Sequence, residues 1–467
     1  MKSVALFSVS VLLSALPSTL SAPTASNDIK PRWYKPEEAA KSTDKVTISS
    51  NSEGSNDDYI VVLADGEQRP WDAIFAEMGC NRSDIGETFS AGMRAFTMKM
   101  DRPHGVQMLA LPNVAIVEKN VIYRAAVMPQ DPAVKPQNMP RSLVKESLRM
   151  SKLARRQAGN VFIEQSTAPW NLQRVSSVDT VALDGRRATD LSFKYRFDQA
   201  SGSGVDVYVL DTGINVEHVD FGGRAQMIFS ITNDDSDGQG HGTHTAGTVG
   251  ARTFGVAKNV NLLGVKVLGT DGSGSIPGIV RGIATVTERH NQRLQDPSFQ
   301  GSIISMSLGG DGLPQSMFLA LQEASRAGIH ISVAAGNENQ DACNTSPAGF
   351  SKQLPIISVG ATDVNDARAS FSNFGSCVDI HAPGVQITST FKGSSTSTSV
   401  LQGTSMACPA VSGMIADLLV QNPQLKTNPT GMKSLVLSRA LNGVIRAGQT
   451  VPAGGQVLLN SGFPGNP

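Results

Sequence analysis

The sequence predicts an α/β protein with a mostly parallel central sheet flanked by helices, preceded by a smaller α+β unit. Three observations carry this expectation. Beyond about residue 169, short apolar runs alternate with helix-like patterns, as successive βαβ units require. One such run, Val205 to Leu210, is apolar apart from Asp206, close to what a strand covered on both faces should be. Two polar, Pro-containing stretches divide the 467 residues into a leader, a small unit and a large one.

Taken in order, Met1-Lys2, the apolar or small run Val4 to Leu16 and the small residue Ala22 read as a secretory signal over residues 1–22. The run is too short to span a bilayer comfortably, so a soluble product is expected. No anchoring or retention signal is visible, which favours an extracellular destination, with an acidic vacuole as the alternative. A polar linker follows to about Asp57. Tyr59 to Leu63, Ala95 to Met98 and Val114 to Val117 read as strands, and Trp71 to Met78 as an amphipathic helix, giving a unit over about 58–127. Met128 to about Thr167 reads as low in order, with Pro129, Pro132, Pro136 and Pro140. Its basic pair Arg155-Arg156 is a candidate processing site, which divides the chain into 23–156 and 157–467. In the larger part, Leu262 to Leu268, Ile303 to Leu308 and Ile329 to Ala335 join Val205 to Leu210 as buried strands.

Lys plus Arg and Asp plus Glu number 40 each, and the formal net charge is zero. That balance gives no reason to expect a nucleic-acid partner or an anionic membrane surface. Four cysteines, Cys80, Cys343, Cys377 and Cys408, are too few to stabilise so long a chain, and a monomer held by its core is expected.

Three segments carry candidate chemistry. Asp211-Thr212-Gly213 directly follows the Val205 to Leu210 run, at the carboxyl end of a strand, where open parallel sheets gather functional groups. Gly240-His241-Gly242-Thr243-His244 opens a small-residue helix. Gly403-Thr404-Ser405-Met406 precedes apolar residues at helical spacing, so Ser405 falls near a helix N-terminus that favours negative charge. A serine hydroxyl becomes a useful nucleophile when an imidazole takes its proton, and a carboxylate holds that imidazole in the right tautomer. The order Asp, His, Ser is that of subtilisin, and no Gly-x-Ser-x-Gly suggests a lipase or esterase. A fourth element, Val333-Ala334-Ala335-Gly336-Asn337, ends a strand in an amide. That amide and the Ser405 N–H could hold a developing oxyanion.

These segments, with Val207 to Gly213, Gly255-Val256-Ala257-Lys258, Ser305 to Gly310 and Phe371 to Gly375, resemble the subtilase family, especially proteinase K and its fungal relatives. The resemblance implies a serine endopeptidase made as a zymogen, with the 58–127 unit as an inhibitor-type propeptide that acts as chaperone and inhibitor. It assigns Asp211, His241 and Ser405 to the triad and Asn337 to the oxyanion hole. Ser307, Leu308 and Gly309, with Ala334, Ala335 and Gly336, would form two walls of the primary specificity pocket. Gly272, Ser273 and Gly274 would pair with an extended protein or peptide substrate, and Ile276 would line a more distant pocket. Neither primary wall is charged, so broad cleavage after apolar or aromatic residues is expected. The resemblance also implies a Cys343–Cys377 disulfide and a structural calcium held by Asp379 and the carbonyls of Pro355 and Ile357. One position departs from the family: relatives usually carry His after the Pro of the Ser motif, where this chain has Ala410.

The same residues speak against three other readings. An aspartic protease needs a second Asp-Thr-Gly or Asp-Ser-Gly, and none is found. His241 and His244 lack the Glu of a His-Glu-x-x-His zinc site, and His244 reads as structural. A silent binding fold would lack a triad or oxyanion residue, and none is missing. Asn81-Arg82-Ser83 and Asn344-Thr345-Ser346 are candidate glycosylation sequons. Cys408 reads as a buried free thiol.

Overall fold

In the main sheet, the strands buried at every residue lie at the centre. The computed structural model describes residues 57–64, 66–90, 93–128, 135–153, 162–446 and 457–462, so the expected signal over residues 1–22 and the Arg155-Arg156 pair lie outside the described residues. Spatially, the sheet runs Ala225–Ser230, Asn261–Lys266, Val205–Asp211, Gly301–Met306, His330–Ala334, Ile357–Thr362, Ile380–Pro383, Val457–Leu458 and Leu441–Asn442. All neighbouring pairs are parallel except the last. Val205–Asp211 and Gly301–Met306 are buried at every residue, as strands covered on both faces must be. The helix Thr404–Gln421 is buried from Thr404 to Leu419 and packs against the central strands. Ala410 lies within it at 0% exposure, a packing position in the main apolar cluster.

The smaller unit is an antiparallel sheet, ordered Ile85–Phe89, Ala95–Met100, Asp57–Leu63 and Val114–Lys119, with helices Trp71–Glu77 and Arg102–Leu109. The Ile85–Phe89 strand and the Arg102–Leu109 helix were not expected, because neither carries a clear apolar period. The strand is buried only at Phe89, and the helix at Gly105 and Met108. Residues alternate across this sheet: Tyr59, Val61, Phe96 and Met98 pack with Ile74 and Phe75, while Ile60, Val62, Phe89 and Ala95 turn to the other face, where Leu319 of the large unit meets them. Glu118 accepts from the backbone N–H groups of Gln315 (2.8 Å) and Ser316 (3.0 Å), the free donors at the start of helix Gln315–Arg326.

The stretch after Met128 is more ordered than its composition suggested. Helix Arg141–Leu153 begins at Pro140, whose carbonyl accepts from the Val144 N–H (3.1 Å), and buries Leu143 and Ser147 one turn apart. Met139 and Leu143 belong to the main core, and Gln137–Asn138 pairs with Ser397–Leu401. Phe162–Ala168 is a strand against Phe193–Asp198. Four prolines masked a helix whose apolar residues Leu143 and Val144 pack against the core of the large unit.

Candidate active site

The site forms where a strand end and two helix starts converge. Asp211 is the last residue of its strand, His241 the first of helix His241–Gly250, and Ser405 the second of Thr404–Gln421. His241 Nδ1 lies 2.7 Å from Asp211 Oδ1. The carboxylate is fixed by the Thr212 N–H on Oδ1 (2.7 Å) and by Thr245 Oγ1 on Oδ2 (3.2 Å). Gly242 allows the helix to approach the strand, since a Cβ there would collide with the Gly213 carbonyl. His241 Nε2 is buried and unpaired, while Ser405 Oγ donates to the Ser307 carbonyl at 2.9 Å. Pro409 stands four residues after Ser405 and has no N–H for that residue's carbonyl; Ser307 Oγ donates to it instead, at 2.9 Å.

Asn337 is oriented by its own oxygen. Its Oδ1 accepts from Thr404 N–H (2.9 Å) and Thr404 Oγ1 (3.0 Å), leaving Nδ2 buried without a partner. The Ser405 N–H donates to the carbonyl of Ala126, at 3.0 Å. A Cβ built on Gly403 would stand 2.6 Å from that carbonyl oxygen and 3.2 Å from Asn337 Nδ2, so both groups border one small space.

Ala126 reaches this place because strand Ile122–Ala125 lies in the cleft, antiparallel to Ser273–Ser275 on one side and Leu308–Asp311 on the other. Ser273 and Gly274 pair with Arg124 and Tyr123, and Leu308 and Gly309 with Ala125 and Arg124. The Ala125 N–H donates to Gly272 O (3.0 Å), and the Ala126 N–H to Ser307 O (3.1 Å). Ala334 ends its core strand, Ala335 N–H donates to Val359 O (3.0 Å), and Gly336 N–H donates to Thr404 Oγ1 (3.1 Å). Ile276 is buried in the same apolar cluster as Tyr123.

Sequence reasoning missed Asp237. This buried carboxylate accepts from Thr212 Oγ1 (2.8 Å), Gly240 N–H (2.7 Å), Thr243 N–H (2.8 Å) and Thr243 Oγ1 (2.6 Å), and so ties the His241 loop to the Asp211 strand. Lys266 Nζ holds the same corner through the carbonyls of Thr212 (2.6 Å) and Ser236 (2.9 Å). The available signal was an Asp four residues before His241 in a Gly-rich loop. His244 is fully enclosed, its pKa pushed down to about 3 by burial and then by His241, and its Nε2 lies 3.0 Å from Ile387 O. It is a neutral structural residue. Cys408 is a buried thiol pushed up to about 11 by burial.

Cys343 and Cys377 form a disulfide with Cα atoms 5.1 Å apart, and Cys80 and Cys408 are free. Asn81 and Asn344 are exposed.

Asp379, the residue expected to hold a calcium, faces a cation of the chain itself. Asp379 Oδ2 accepts from Lys433 Nζ at 2.9 Å, and that ammonium also donates to the carbonyls of Ser351 (2.8 Å) and Ile356 (2.7 Å). The three protons of an ammonium match these three oxygens. The carbonyl engaged, Ile356, lies between the expected Pro355 and Ile357. Among the described residues no group of three or more His, Cys, Asp or Glu side chains could hold a metal ion. Lys433→Met would leave Asp379 buried without its countercharge, and should cost about 3–5 kcal/mol. Its thermal midpoint should then rise with added calcium, while that of the unsubstituted protein is expected not to respond at this site. A calcium response in the unsubstituted protein that Asp379→Asn removes would refute this.

Asp, His and Ser gathered from one strand end and two helix starts, beside a shielded amide, are the constellation of a serine peptidase, here carried on a parallel sheet. The subtilase family model matches residues 202–461, and the chain belongs to that family. It is 45% identical over 267 residues to the subtilisin-like serine protease Rho m 2.0101 of Rhodotorula mucilaginosa, covering 56% of this chain and 75% of that one. It is also 45% identical over 266 residues to cerevisin of Saccharomyces cerevisiae, where the match covers 56% of this chain but only 40% of that protein. A crystal structure of a cold adapted subtilisin-like serine proteinase superposes with a TM-score of 0.55 at 38% identity, covering 63% of this chain and 99% of that one.

Proposed function

We propose that the chain is the zymogen of a secreted, subtilisin-like endopeptidase whose first substrate is its own Ala126–Val127 bond. The observation that carries this is the Ser405 N–H on the Ala126 carbonyl, with Ile122–Ala125 paired on both sides as an extended substrate would be. In this reading Ser405 Oγ turns from the Ser307 carbonyl to His241 Nε2, gives up its proton there and attacks the Ala126 carbonyl carbon. The Ser405 N–H and Asn337 Nδ2 hold the oxyanion, and Asp211 compensates the imidazolium. His241 then protonates the departing Val127 nitrogen, and water hydrolyses the acyl-enzyme at Ala126.

The cut lies well before Arg155-Arg156, so the inhibitory unit ends at Ala126 in this proposal. Gln137–Leu153 stays with the catalytic unit, because Met139 and Leu143 are part of its core. The residue before the bond is a small apolar Ala, in line with broad cleavage after apolar or aromatic side chains. Other substrates are proteins and peptides, and the cleaved proregion is the inhibitor. A soluble extracellular product is favoured over a vacuolar one; among the described residues no helix is long and apolar enough to cross a membrane.

The test is to incubate the purified precursor and sequence the new N-terminus while following casein hydrolysis. Val127 at the terminus, with activity blocked by a sulfonyl fluoride and untouched by pepstatin, is the expected result. A cut confined to the Arg156–Gln157 bond, or activity resistant to the sulfonyl fluoride, would reject it. Removing the carboxyl group that caps Gln315–Arg326, by Glu118→Ala, should speed release of the cleaved proregion by about ten- to a hundredfold, since its bonds from the Gln315 N–H, the Ser316 N–H and the Ser316 hydroxyl are lost. An unchanged release rate would mean that Glu118 adds nothing to docking.

A further inference from the structure

We infer that Ser346 makes this enzyme select tyrosine over phenylalanine at the fourth residue before the cut bond. The inference rests on the reading that Ala126–Val127 occupies the catalytic site, which sets Tyr123 at that fourth place.

The strand in the cleft is anchored unevenly. Ile122 is 49% exposed and Arg124 is also exposed, while Tyr123 between them is 0% exposed. Strand alternation explains why only one of the three points inward; the pocket explains why it is a tyrosine. The flat side of the slot is Gly310: a Cβ there would stand 2.7 Å from Tyr123 Cδ1 and 2.9 Å from Cε1. The backbone of Gly310 is not in the left-handed region, so it is space for the ring, and not chain geometry, that excludes a larger residue. The end of the slot is Ser346, paired with Gly310 in the ladder between Leu308–Asp311 and Thr345–Ser346. The Tyr123 phenol donates to Ser346 Oγ at 2.6 Å. Ser346 itself is 1% exposed, so its hydroxyl meets the substrate away from solvent.

Phenylalanine would fill the same slot but offer Ser346 no hydroxyl. A polar group buried without a partner loses the hydrogen bond it would have had with water, whereas tyrosine restores one. Discrimination by such a pair comes from the site's own unpaired group as much as from the missing contact. Tyrosine is thus read at two points, the ring by Gly310 and the phenol by Ser346.

The test compares N-acetylated anilides of Tyr-Arg-Ala-Ala and Phe-Arg-Ala-Ala with the processed enzyme, reading kcat/KM for each. The Tyr peptide is expected to be better by about three- to tenfold, the value of one neutral hydrogen bond. Ser346→Ala should bring the ratio near one, and Ser346→Thr, which keeps a hydroxyl, should retain it. Because each ratio is taken within one protein, differences in the amount of active enzyme cancel. Gly310→Ala should lose both aromatic peptides relative to Ala-Arg-Ala-Ala. A ratio near or below one in the unsubstituted enzyme, with both peptides cut, overturns the inference while leaving the protease reading intact. An enzyme that cuts neither the peptides nor casein overturns the protease reading beneath it.

Discussion

Replacing Ser405 by alanine is expected to leave a folded, uncut precursor and to lower kcat about a million-fold, the loss that removal of the nucleophile causes in the related subtilisin. The variant keeps the interactions that seat Ile122–Ala126 in the cleft. The bond from the residue 405 N–H to Ala126 O is a backbone contact, and Ser307 Oγ still finds the residue 405 carbonyl that Pro409 leaves free. What disappears is the one oxygen able to attack Ala126. A residual rate of roughly 10³–10⁴ over water should survive, because the oxyanion donors and the substrate strands remain. N-terminal sequencing and casein hydrolysis read the two effects separately. Self-cleavage at Ala126–Val127 by Ser405→Ala would show that another group is the nucleophile.

Asn337→Ala is expected to reduce kcat by about 10²–10³ with little change in KM, the scale measured for the equivalent amide in subtilisin. The physical basis is the division of labour within one side chain. Oδ1 is held by Thr404, and Nδ2 is shielded and waits unpaired beside the Ala126 carbonyl. A donor placed where charge will appear strengthens most in the transition state, so the loss belongs in kcat. Thr404→Val removes one of the two bonds that aim the amide and should cost less than Asn337→Ala itself. A rise in KM alone for Asn337→Ala would mean that the amide binds ground-state substrate, and the oxyanion role would fall.

The parts of the molecule legible in advance are those whose signal is local. Val205 to Leu210 announces a buried strand through its own side chains, and the Asp that follows lands at the carboxyl end of the sheet. Gly403-Thr404-Ser405 before an apolar helical period sets a serine at a helix start. In each case the decisive residues are neighbours in sequence, so periodicity and chain-terminal geometry suffice. The helix Arg141–Leu153 was missed for the converse reason: Leu143 is buried only because the large unit supplies the other half of its pocket.

The cation beside Asp379 could not be read that way either. The motif around Asp379 resembles a calcium site, yet Lys433, 54 residues away, brings its ammonium to that carboxylate. The cleft strand is decided at still longer range, since Tyr123 meets Ser346 across 223 residues. The sequence by itself determined the central strands and the family, because those are written in contiguous motifs. Only the tertiary structure decided which cation faces Asp379, which bond lies at Ser405 and which hydroxyl receives Tyr123. Those depend on pairings between distant segments, and neither partner's local pattern carries the identity of the other.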